Sequence, residues 1–140
     1  MVEQEVKLET VDKFLRGHEV AFDTPAKKAV FLEGVLVKFL LDVQYANRKS
    51  TPFRGKLHGL KLDVIKIRKL LPEIVEKLRE YKVGCYSWLE RLVSQYFIDA
   101  ENEGWDLSKD EISYYFALGL NLGGILKQKE GNINGGNENG

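Results

Sequence analysis

The sequence predicts an all-α fold, a compact helical bundle of about five helices with a disordered C-terminal tail. Three observations point there. Apolar residues recur at three- and four-residue spacing along most of the chain. The alternating apolar–polar runs of half-buried strands are scarce. The three prolines, Pro25, Pro52 and Pro72, each sit where a helix can start or bend. With 140 residues and 44% apolar composition, one domain over residues 1–129 can bury a core.

The elements follow in order. Residues 3–22 carry Val6, Val11, Phe14, Leu15 and Phe22 on an amphipathic segment, interrupted by Gly17 and His18. Asp23-Thr24-Pro25 then supplies a capping side chain and a proline at the first helical position. The helix it opens reaches about Ala46. Its apolar residues wrap most of the circumference, which marks a central, buried helix. The segment from Asn47 to Pro52 breaks it. A basic connector punctuated by Gly55 and Gly59 follows, up to Leu62.

A second long helix spans about Asp63 to Tyr81, with Ile67, Leu70, Leu71, Ile74, Leu78 and Tyr81 on one face. Pro72 should kink or split it, and Glu73 should pair with Lys77 one turn on. Val83-Gly84 turns the chain into a helix from Tyr86 to about Ala100, with Trp88, Leu89, Leu92, Val93, Tyr96 and Phe97 inward. Ser108 and Glu111 then match a capping box. The last helix carries Ile112, Tyr115, Phe116, Leu120 and Leu126, and Gly119 and Gly123 permit close approach of a neighbouring helix. Residues 130–140 are Gly/Asn-rich and cannot offset their ordering entropy, so a disordered tail is expected.

The charges are sorted along a chain whose net charge is zero. Arg48 to Lys82 holds eleven basic and four acidic residues, a local excess of +7. Residues 1–47 carry −2 and residues 83–140 carry −5. A basic block within a neutral protein is a candidate surface for a polyanion. Arg48, Lys49, Arg54, Lys56 and Lys61 fall on the connector, and Lys66, Arg68 and Lys69 on the first turns of the next helix. Gly55 and Gly59 allow a backbone to approach, and Phe53 and His58 are interleaved as candidate base platforms. Two other readings fit the same residues: the cations solvate a helix face, with Phe53 in the core, or they face another protein. No helix-turn-helix, zinc-finger or RRM signature is present, so any binding should be to backbone, tolerant of sequence and sensitive to salt.

Catalysis finds little support. His18 and His58 are the only histidines, and neither has a metal partner at ligand spacing. There is no P-loop and no Gly-x-Ser-x-Gly. No cofactor, metal or small-molecule substrate is expected. The lone Cys85 forbids an internal disulfide and reads as a small core residue rather than a reactive thiol. The acidic N-terminus is unlike a signal peptide, and Ala29 to Leu41 is too short and too charged to span a bilayer. A soluble cytoplasmic protein is the expectation.

Several segments together resemble a known family. They are Phe31-Leu32-Glu33-Gly34-Val35-Leu36-Val37, Gln44-Tyr45, Thr51 to Leu62, Leu70-Leu71-Pro72-Glu73-Ile74, and Asp110 to Leu122. In order and spacing they are similar to the C-terminal part of the type I-B CRISPR Cascade large subunit, over roughly residues 23–126. In that family the region is also made as a separate small subunit from an internal start. The resemblance implies no catalysis. It implies assembly with the large subunit, the backbone subunits and further copies of itself. It also implies support of the R-loop through backbone contacts to guide-paired target DNA and the displaced strand. Guide pairing supplies the sequence, and strand exchange is nearly balanced, so modest contacts can tip it. The eight basic residues are the expected phosphate contacts on the charge argument alone. Glu101, Glu103 and Asp106 are expected to face a neighbouring subunit. The rival reading is a protein-interaction module whose basic stripe docks on an acidic partner.

Overall fold

A computed structural model describes residues 11, 13–48, 62–80 and 87–121. Among these residues every regular element is helical, and the all-α expectation holds. The helical segments are α1 at residues 13–17, α2 at Pro25–Arg48, α3 at Val64–Glu80, α4 at Ser87–Glu103 and α5 at residues 109–121. The connector, the Val83-Gly84 turn, Cys85 and the Gly/Asn-rich tail lie outside the described residues.

α2 begins as its sequence dictates. The Thr24 hydroxyl accepts the Lys27 amide proton at 3.3 Å, and Pro25 takes the first position, where no amide is needed. Asp23 turns instead to the Lys27 ammonium at 2.8 Å. That hydrogen bond holds the Asp23 carboxyl below its ordinary range. From Ala29 to Leu41 every residue except Lys38 is buried. Lys38 sits half-buried and reaches Asp42 at 3.2 Å. A helix this apolar needs neighbours on all sides, and α2 packs against both α3 and α4, more extensively against α4.

α2 and α5 run the same way and meet at two glycines. A methyl group added at Gly34 would collide with the Phe116 carbonyl oxygen, and one added at Gly119 with that of Phe31. Backbone therefore meets backbone, and α5 lays Ile112, Tyr115 and Phe116 into the core. Gly119 thus performs the close approach expected of it. Its counterpart is Gly34; Gly123 lies outside the described residues. Near the N-terminal ends of both helices Phe14, Phe22, Phe31 and Tyr115 form an aromatic cluster, with Phe14 stacked on Phe31 at 5.3 Å and Phe22 tilted against Tyr115 at 5.4 Å. The Tyr115 hydroxyl donates to the Ala21 carbonyl at 2.5 Å and ties α5 to the turn before α2.

α3 is continuous through Pro72, so of the two expected outcomes, a kink or a split, the split does not occur. The proline is exposed, so the carbonyl it leaves without a helical partner, that of Arg68, lies on the solvent side. Ile67, Leu70, Ile74 and Leu78 form the buried stripe. Lys77 pairs forward with Glu80 at 3.6 Å rather than back to Glu73. α4 runs three residues past its expected end, to Glu103, and stops at Gly104, whose φ of 111° suits a residue without a Cβ. The capping box then forms in both directions: the Glu111 amide donates to the Ser108 hydroxyl at 3.1 Å, and the Ser108 amide to the Glu111 carboxylate at 3.0 Å.

Candidate nucleic-acid interface

The basic residues of α3 start at its N-terminus. The Asp63 carboxylate accepts the Lys66 amide proton at 2.8 Å and fixes the first turn. From there the helix advances about 100° per residue. That rotation sends Lys66 and Arg68 to opposite flanks of the buried stripe and Lys69 to the outermost position. All three side chains are exposed. Lys66 and Lys69 have no ion-pair partner among the described residues. They stand on the first two turns, where the helix dipole is already positive. Cations there add nothing to helix stability, and the local field attracts anions.

Arg68 is different. Its Nε forms an ion pair with Glu101 Oε1 at 2.7 Å, with both side chains about half exposed at 51% and 46%. The same carboxylate oxygen accepts the Trp105 indole N–H at 3.0 Å. Trp105 follows the Gly104 turn, folds back over α4 and packs edge-on against Phe97 with ring centroids 5.1 Å apart. Arg79 pairs with Glu90 at 3.3 Å. Position 79 is eleven residues after 68, and position 90 eleven before 101. The two bridges therefore define one antiparallel α3–α4 register and close the seam three turns apart.

This pairing adds to one expectation. Glu101, expected to face a neighbouring subunit, meets Arg68 of α3 within the same chain and stays about half exposed. Glu103 and Asp106 are exposed. Of the five cations on α3, Arg68, Lys77 and Arg79 meet carboxylates of the chain, and among the described residues Lys66 and Lys69 do not. Of the eight basic residues singled out by sequence, Lys66, Arg68 and Lys69 share the exposed N-terminal turns of α3, with Lys66 and Arg68 on opposite flanks. Arg48 closes α2, with its side chain outside the description. Lys49, Arg54, Lys56 and Lys61, with Phe53 and His58, lie outside the described residues. Trp105 was not singled out as a neighbour of Arg68. The signal was available in the glycine before it and in the four-residue step from Glu101.

Two further polar groups escaped the sequence reading. Glu33 and Gln44 are buried on α2, eleven residues apart and so on one face. Among the described residues neither oxygen of the Glu33 carboxyl has a hydrogen-bond partner. Burial pushes that carboxyl well above the ordinary glutamate range. His18 has a structural place: its Nδ1–H donates to the Phe14 carbonyl at 2.8 Å, and its ring stacks on Phe14 at 4.3 Å. Among the described residues no group of three His, Cys, Asp or Glu side chains is arranged to hold a metal ion. Nor is any helix there long and apolar enough to cross a membrane.

No curated protein and no solved structure matches the chain. A family model does, over residues 1–132: the C-terminal domain of CRISPR-associated protein TM1802. That match takes in every helix described above, the glycine crossing and the basic turns of α3. The chain therefore belongs to the family of CRISPR-associated protein TM1802 C-terminal domains.

Proposed function

We propose that the chain is a non-catalytic small subunit of a crRNA-guided type I-B interference complex, where it supports the R-loop by backbone contacts to target and displaced DNA and by packing against other subunits. The observation that carries this reading is the pair Lys66 and Lys69, exposed and without an ion-pair partner among the described residues, on the N-terminal turns of α3 in a CRISPR-associated domain. Ammonium groups at that spacing attract phosphates and are indifferent to base identity. Several copies along one strand would gain by avidity what one copy lacks.

The test is target-DNA binding by reconstituted complex with Lys66→Glu and Lys69→Glu combined. Weaker target binding with normal assembly supports the proposal. Unchanged binding with normal assembly removes it. A second reading, that the stripe is a protein-docking surface, is favoured by Arg68 and Arg79 already serving helix-to-helix ion pairs. On that reading the charge reversal blocks assembly itself.

A further inference from the structure

We infer that Glu101 is a latch on Arg68: the guanidinium passes from the carboxylate to a nucleic-acid phosphate when a strand reaches the N-terminal turns of α3. The inference rests on the nucleic-acid reading above and adds residues to its site.

Four features of the geometry carry it. Glu101 Oε1 is held from two sides, by Arg68 Nε at 2.7 Å and by the Trp105 indole N–H at 3.0 Å. The carboxylate therefore keeps a donor if Arg68 leaves. Arg68 uses its Nε in this bond. Its planar fork is suited to two-point recognition of a carboxylate or phosphate, so a phosphate offers it an equivalent seat. Both side chains are half exposed, so exchange needs no helix to move. Lys69 is outermost, with Arg68 about 100° round the helix on one flank and Lys66 on the other, all three exposed, so a strand lying across Lys69 comes within reach of Arg68 on one side. The Arg79–Glu90 bridge links the same two helices three turns away, so Arg68 is not their sole ion pair.

A carboxylate in the position a phosphate would take weakens binding by competition, and removing its charge should strengthen it. The experiment titrates the full chain with a short, fluorescein-labelled, random-sequence single-stranded DNA at low salt. It compares wild type, Glu101→Gln, Glu103→Gln, Arg68→Gln and the Arg68→Gln/Glu101→Gln double variant. Glutamine at 101 keeps an acceptor for Trp105 and loses the charge. The latch predicts an affinity gain of about fivefold for Glu101→Gln, the upper end of what an exposed ion pair holds back. The gain should disappear when Arg68 is also changed, and Glu103→Gln should give less. In a Trp88→Phe background Trp105 is the remaining tryptophan, and its emission should change on DNA binding only when Arg68 is present.

An equal gain from Glu103→Gln, or a gain that persists without Arg68, means that the effect is general charge removal and overturns the latch. If the Lys66/Lys69 reversal lowers DNA affinity but Glu101→Gln leaves it unchanged, the latch fails and the nucleic-acid reading stands. If no variant binds DNA and the reversal also leaves the reconstituted complex unaffected, both fail.

Discussion

Replacing Gly119 by alanine should separate α2 from α5. The new methyl group would meet the Phe31 carbonyl oxygen, with the Val35 amide and Gly34 Cα at its other side. These are backbone atoms and no rotamer change relieves them, so the helices must move apart by about 1 Å. A gap of ~0.5–1 Å forfeits a quarter to a half of the dispersion attraction. Ile112, Tyr115 and Phe116 are the buried residues of α5 at this interface, each contributing about 2–3 kcal/mol when fully packed. The loss is then roughly 2–4 kcal/mol. Alanine recovers about 1 kcal/mol through its better helix propensity. A net destabilisation of about 1–3 kcal/mol is expected. The assay is urea unfolding followed by far-ultraviolet circular dichroism, with Gly17→Ala as the control. Gly17 has nothing within 4 Å of the added methyl, so that variant should be neutral or slightly stabilising. Equal stability of Gly119→Ala and Gly17→Ala would refute the close crossing.

Other expectations test separate parts of the fold. Tyr115→Phe removes the hydroxyl that donates to Ala21 and should cost about 1 kcal/mol in the same urea assay. No change would mean that this hydrogen bond is not formed in solution. Glu33 should make stability depend on pH. Its carboxyl keeps its proton in the fold above the ordinary value of 4.5, where the unfolded chain has released it. Its contribution is therefore fully present below about pH 4.5 and fades as pH rises toward the raised folded value, by up to ~1.4 kcal/mol per pH unit. Glu33→Gln should be flatter than wild type above about pH 4.5, and parallel profiles would contradict the uncompensated burial.

The helices were legible because local chemistry agreed with tertiary need. Thr24-Pro25 and the Ser108/Glu111 box capped the helices they announced, and the apolar surround of α2 marked it as central. Pro72 does not split α3, because the rule concerns a missing hydrogen bond, while the cost depends on which side of the helix goes without it. The charge block is only partly legible along the chain. Summed along the chain it is an excess of +7, yet antiparallel pairing brings Arg68 and Arg79 onto Glu101 and Glu90 from the acidic segment. Composition along a sequence is blind to that cancellation, because register between helices is set by packing. Gly34 was likewise hidden: a lone glycine in an apolar helix shows its purpose only once Gly119 lies against it.

The measurement that tests the central claim most directly is the salt dependence of target-DNA binding by reconstituted complex, with and without Lys66 and Lys69 reversed to glutamate. If these lysines meet phosphates, the reversed complex should assemble, bind more weakly, and show a log–log salt slope shallower by about 0.7–0.9 for each phosphate no longer neutralised. An unchanged slope and affinity in a complex that assembles normally would contradict a nucleic-acid role for the exposed face of α3.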